Sequence, residues 1–228
     1  MDSHQFIETE CRVRGVTYKK INPSDLLNIY STIDQGNMDI MLLEKKPKIA
    51  IYTPPNKQPW DDAVTLALTY AEVDYETLWD TEVHLGELND YDWLHLHHED
   101  FTGQHGKFYR SHRNSKWYKE QKIQFQDIAS KLGYPSVHEH KKGISRIIKN
   151  YVKDGGFLFA MCSATDSYDI ALAMGNVDGV EAVYDGTPTS PDLQNSLDYS
   201  QCFAFENFKI ISDPVSYTHL TLPTKNEV

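Results

Sequence analysis

The sequence predicts an α/β fold, a three-layer sandwich on a mostly parallel sheet, and two observations carry that expectation. Short apolar runs alternate with helix-length amphipathic segments across residues 48–174, the pattern of parallel strands joined by helical crossovers. KIAIYTP and FLFAMC are also apolar along most of their length, as strands buried on both faces are.

The elements follow in order. The opening MDSHQFIETECRVRG has helical spacing and no signal-peptide core. VTYKKI, residues 16–21, alternates like a strand, and PSDLLNIYSTI, residues 23–33, reads as a helix started by Asn22, Pro23 and Ser24. KIAIYTP, residues 48–54, is a β-branched run flanked by lysines and prolines, the mark of a central strand. Pro59 and Trp60 lead into DDAVTLALTYAEV, whose two aspartates suit a helix N-terminus. YETLWD, 75–80, and YDWLHLH, 91–97, are the next strands, followed by a polar, aromatic loop over 98–116. Helices are expected over 117–132 and 138–153, the second carrying Ile144, Ile147, Ile148, Tyr151 and Val152 on one stripe and closed by Gly155 and Gly156. FLFAMC then reads as a buried strand, and residues 163–174 as a helix. Sites in such sheets lie beyond the carboxyl ends of strands, which points to residues 97–105 and 162–167.

Composition narrows the function classes. Of 228 residues, 33 are acidic and 22 are Lys or Arg, so the formal charge of −11 speaks against a nucleic-acid binder. No apolar run approaches the about 18 residues of a membrane span. Cys11, Cys162 and Cys202 show no CxxC spacing, so neither a disulfide framework nor a structural zinc site is expected.

VSYTHLTLPT, residues 215–224, shares no period or turn logic with FAFENFKII before it and resembles the read-through translation of a sequencing-library adapter. The expected organisation is a partial N-terminal α/β segment at 1–46, an α/β domain at 47–214 that is incomplete at its C-terminal end, and a non-native tail at 215–228. The compartment stays open: cytoplasmic, or periplasmic if a signal peptide preceded residue 1.

Cys162 lies where the last strand turns into a helix. Ser163-Ala164-Thr165-Asp166 matches the S-x-x-D capping pattern, which makes Ser163 the expected N-cap and Asp166 its partner. A helix starting there turns its N–H groups toward the cysteine, an arrangement that favours a thiolate and can hold an oxyanion. Ala160 and Ala164 supply the small neighbours of a nucleophile elbow, without its glycines. The competing reading is a buried core cysteine that ends a strand.

GGFLFAMCSATDSYDIALA, PWDDAVTLALTYAEV and YDWLHLHHEDFTGQHGKFYR together resemble a bacterial family with a class I glutamine amidotransferase-like domain, often labelled "asparagine synthetase B". The resemblance spans residues 5–213 and implies a flavodoxin-like sheet with Cys162 as nucleophile. ATP-dependent asparagine synthesis is not implied: Met1 is followed by Asp2 rather than cysteine, and no SGG-x-D-S loop occurs. Class I amidotransferases also use a histidine downstream of the cysteine as base. Here the only one is His219, inside the adapter-like segment, so this chain is expected to be inactive even where its parent is an enzyme.

Six of ten histidines fall between 84 and 112. On a strand, His95, His97 and Glu99 share one face, with His98 and Asp100 on the other. Three readings compete. His97, His98, Glu99 and Asp100 line the pocket facing Cys162, with His98 or His97 as base; or His95, His97 and Glu99 bind a divalent metal; or the imidazoles are merely packed in a polar loop. Gln104 joins the binding candidates, and Gly103 and Gly106 would let the backbone pass close to a ligand. Phe101, Phe108, Tyr109, Trp117 and Tyr118 with Arg110, Arg113 and Lys116 read as a lid or as an aromatic loop over the sheet edge. The 185–192 loop has turn residues and no chemistry of its own.

The expected activity is therefore thiol-dependent attack on a carboxamide or similar acyl group. Cys162 acts, Ser163 and its neighbours bind the oxyanion, and His98 and Glu99 line the site. The alternatives are a non-catalytic binding protein on the same fold and a metal-dependent hydrolase. No cofactor is expected, the partner is a small amide or polar molecule, and the oligomeric state is open.

Overall fold

The computed structural model describes residues 3–36, 46–55, 63–104 and 108–212. The chain divides into two units, Met1–Lys46 and Pro47–Val228. In the first, helices α1 (Ser3–Val13) and α2 (Pro23–Gly36) are joined by an extended segment. Asn22 starts α2, its side-chain oxygen accepting the Asp25 N–H at 3.0 Å. VTYKKI forms no strand. Alternation alone cannot satisfy a strand's backbone groups, and no strand lies beside it among the described residues of this unit.

The second unit runs β1 (Ile49–Tyr52), α3 (Ala63–Tyr70), β2 (Glu76–Leu78), α4 (Asp80–His84), β3 (Trp93–Leu96), α5 (Phe108–His112), α6 (Lys116–Lys131), α7 (Val137–Lys153), β4 (Phe157–Ala160), α8 (Ser163–Ala173) and α9 (Ala182–Asp185). Asp61 and Asp62, expected to open α3, lie outside the described residues, as do His105, Gly106 and 213–228. The four strands pair in parallel in the order β2-β1-β3-β4. The alternation of strand and helix along the chain is therefore an α/β sandwich in space.

β1 is central, which explains why IAIY is buried at every position. Strand alternation sends Ala50, Tyr52, Leu94, Leu96, Leu158 and Ala160 to one face. That face carries the main core, where Val83, Phe125, Ala129, Ile144, Ile148, Tyr151, Ala164 and Leu172 pack against it from α4, α6, α7 and α8. The α7 stripe buries Ile144, Ile148 and Tyr151, with Ile147 and Val152 partly covered beside them. Ser136 caps the helix by accepting the Glu139 N–H at 3.1 Å. Gly156 closes the turn after it because a Cβ there would meet the Tyr151 ring at 2.2 Å.

Two expectations change. β4, read as fully buried, is an edge strand: Phe157 and Phe159 on its second face are 58% and 44% exposed. The 98–116 loop contains α5.

A second, smaller core joins Ile170, Ala173 and Met174 of α8 to Leu197 and Phe208 of the C-terminal segment. Buried Asp169 holds that segment down: its carboxylate accepts the N–H groups of Phe203, Ala204 and Phe205 at 2.9, 2.8 and 2.9 Å. Hydrogen bonds to a charged acceptor are the stronger kind, and three donors lose their acceptor together. Asp169→Ala is expected to lower stability by about 3 kcal/mol in urea unfolding and to speed amide exchange at 203–205.

Candidate functional site

β4 ends at Ala160 and α8 begins at Ser163, leaving two residues in which the chain must reverse. Cys162 makes the turn. Its backbone stands at φ 54°, ψ −139°, a conformation outside the ordinary regions for a residue with a Cβ, and its side chain is exposed. The turn is held from both sides. The Met161 N–H donates to Leu96 O at 3.0 Å, extending the β3–β4 pairing, and the Ala164 N–H donates to His97 O at 3.2 Å. Ala164 is fully buried, so the small residue two positions after the cysteine is required by the core.

Ser163 is not the N-cap; Cys162 occupies that position, and the expected capping box does not form. A tertiary acceptor wins over the local one: the Ser163 hydroxyl donates to His98 O at 2.9 Å. Asp166 accepts the Ser167 N–H at 2.9 Å instead. The Ser163 N–H has no acceptor among the described residues, which leaves one backbone donor beside the thiol.

The β3 exit lies against this turn. Glu99 is buried, its carboxylate accepting the His97 N–H at 2.7 Å, while its carbonyl accepts the Ser167 hydroxyl at 2.9 Å. The His97 and His98 rings face each other with centroids 3.5 Å apart. One Asp100 oxygen accepts the Thr102 N–H at 2.8 Å, and the other is buried with no hydrogen-bond partner among the described residues. Buried Gln104 turns away to donate to Gly179 O at 3.1 Å. Gly103, at φ 80°, lets the backbone pass close to the start of α7 rather than to a ligand, since a Cβ there would lie 2.7 Å from the His138 Cα.

His95 points into the other face of the sheet, buried and stacked on Phe159 at 5.3 Å, and burial lowers its pKa. Its ring centroid is 6.3 Å from that of His97. Among the described residues, no three His, Cys, Asp or Glu side chains converge as metal ligands would. In the aromatic segment, Tyr109 packs edge-on against Tyr118 and Tyr184, and Arg113 lies over its ring. The side chains of Phe108 and Arg110 lie outside the described residues.

Sequence reasoning missed a second polar centre. The strand order reverses between β1 and β3, and in open α/β sheets the crevice at such a reversal commonly takes the ligand. Here side chains fill it. Lys141 of α7, 1% exposed, donates to the Asp80 carboxylate at 2.8 and 2.9 Å and to the Tyr52 hydroxyl at 2.9 Å. The Tyr52 hydroxyl in turn donates to Asp80. The ammonium lies 3.9 Å from the Trp79 ring centroid, with the rings of Tyr52, Phe101 and Phe125 around it. Burial, then the Asp80 charge, raise the Tyr52 pKa well above its ordinary value. The lysine was legible in one way: residues 137, 141, 144, 148 and 151 fall on a single helical stripe, so Lys141 had to face the core.

Comparison with protein-family models, with curated proteins and with solved structures gave no match. The site therefore rests on its own geometry: Cys162, Ser163 and the 97–99 backbone are brought together, whereas His95 and Gln104 are turned elsewhere.

The polar centre has a pH consequence. His140 is fully buried, its ring nitrogens lack hydrogen-bond partners among the described residues, and the Asp80 carboxylate stands 3.7 Å away. Burial brings its pKa down to about 4, opposed by Asp80 and assisted by Lys141 and His84. The unfolded chain takes up this proton near pH 6.5 and the folded chain only near 4, so stability falls as pH drops through that window. His140→Leu is expected to remove about 2–3 kcal/mol of the acid-side loss, read as the difference between the two urea-stability curves from pH 7 to pH 4.

Proposed function

We propose that Cys162 is a nucleophile that attacks the carbonyl carbon of a small carboxamide, in the manner of the class I glutamine amidotransferase-like family that the sequence motifs resemble. The observation that carries this reading is the backbone of Cys162, a non-glycine residue at φ 54° with an exposed thiol between a parallel strand and a helix start. Such a turn lifts a side chain clear of the sheet's carboxyl edge, where a substrate can reach it. The strand order β2-β1-β3-β4 also fits the opening of a flavodoxin-like sheet.

The chemistry is an acyl transfer in two steps. The thiolate adds to the carboxamide carbon, and the Ser163 N–H donates to the oxygen as it gains charge. The carbon–nitrogen bond then breaks, and the nitrogen takes up the proton that the thiol gave up and leaves as ammonia. Water attacks the resulting thioester, releasing the acid and returning the thiol. His97 and His98 are the histidines whose carbonyls are tied to the elbow, and in this reading they line the pocket, with the Glu99 carboxylate on the His97 N–H. One observation favours a second reading, ligand binding without turnover: no histidine occurs between Cys162 and Pro214 to serve as the family's base.

The test is labelling by a diazoketone analogue of glutamine, which needs both a reactive thiol and recognition of the amide-bearing side chain. One adduct on Cys162, suppressed by excess glutamine or asparagine and absent in Cys162→Ser, is the expected result. An unlabelled Cys162 in protein that iodoacetamide modifies would overturn the amide-directed reading and leave the binding one.

A further inference from the structure

We infer that the hydroxyls of Ser163 and Ser167 are positioning groups that hold the histidine pair at the cysteine; this rests on the reading of Cys162 as a nucleophile. Three consecutive carbonyls of the β3 exit are taken by the first turns of α8. His97 O accepts the Ala164 N–H at 3.2 Å, His98 O the Ser163 hydroxyl at 2.9 Å, and Glu99 O the Ser167 hydroxyl at 2.9 Å. Two of the three donors are side chains, not backbone. Sequence neighbours on a loop could have turned their carbonyls to water; here each is drawn toward the helix that follows Cys162.

Two consequences follow from that division of labour. The backbone of the loop carrying His97 and His98 is fixed against the elbow by bonds that span 65 and 68 residues of sequence, so loop and elbow move as one unit. The His98 carbonyl is also satisfied by a hydroxyl, so it does not draw on the Ser163 N–H. That backbone donor stays open for a developing oxyanion. Ser167 is 7% exposed, in contact with the loop and away from solvent, so its hydroxyl has no solvation role to compete with this one.

Ser163→Ala and Ser167→Ala remove the tethers yet keep every backbone N–H, which separates positioning from oxyanion binding. The measurement is the iodoacetamide rate of each cysteine, resolved by peptide mass spectrometry, from pH 5 to 9. Wild-type protein, both single variants, the double variant and Ser163→Thr are compared, with the urea-unfolded chain as reference. The double variant is expected to slow Cys162 by about tenfold, the scale of a small misplacement of a reacting group, with Cys202 unchanged. The wild-type rate–pH profile should carry an inflection in the range where histidines titrate, lost in the double variant. Threonine at 163 keeps the hydroxyl and should restore both. An unchanged Cys162 rate in the double variant overturns the inference, as does an equal change at Cys202, which would mean general loosening. A wild-type Cys162 no faster than in the unfolded chain would instead refute the nucleophile reading on which the inference rests.

Discussion

The ion pair between Lys141 and Asp80 is the constraint around which the carboxyl edge of the sheet is arranged. Neither charge has access to water, and each is tolerable only because the other is there. Losing one partner of such a pair costs about 3–5 kcal/mol, because the survivor is left buried and uncompensated. Their bond ties α7 to α4 and to the end of β1 through the Tyr52 hydroxyl, and four aromatic rings close around the ammonium. The stack continues from Tyr52 to Phe101 at 5.2 Å and from Phe101 to Tyr168 of α8 at 5.4 Å. A single charged contact thus sets the position of the β3 exit loop and of the helix that follows the elbow.

Filling the crevice between β1 and β3 has a functional corollary. The place where an open α/β sheet most often receives a ligand is occupied by the protein's own lysine and aromatic rings. What the sheet still offers is the next junction along, between the ends of β3 and β4. There the chain accepts a strained backbone at Cys162, a cost of about 1–3 kcal/mol, held by hydrogen bonds to Leu96 and His97 on one side and by burial of Ala164 on the other. Two of the cysteines diverge accordingly. Cys202 is half-buried and donates to Asp169 O, and burial followed by the Asp169 charge pushes its thiol up to about 12. Cys162 stands in the open.

Periodicity made the sheet readable. KIAIYTP, YDWLHLH and FLFAMC hold strands β1, β3 and β4, and the isoleucine stripe is the core face of α7. The place where strand becomes helix was visible at Cys162 because small residues flank it. The details that failed are those in which a distant group outcompetes a local one. S-x-x-D reads as a capping box only until His98 O is placed within reach of the Ser163 hydroxyl. Gln104 looks available in sequence and is taken up by Gly179 O in space. VTYKKI had the right alternation and no neighbouring strand. No sequence motif singles out Lys141, although its register with Ile144 and Ile148 places it inside.

The geometry of Cys162 itself is open to a direct energetic test, the stability of Cys162→Gly against Cys162→Ala in urea. At a position with negative φ, glycine is the weaker residue by about 0.5–1 kcal/mol, because it loses more backbone entropy on folding. At φ 54° that ordering reverses, since only the Cβ makes the conformation costly. Glycine is therefore expected to be the more stable of the two by about 1 kcal/mol. Alanine the more stable would mean that the strand runs into the helix without a strained turn, and Cys162 would then lose its claim to be an elbow.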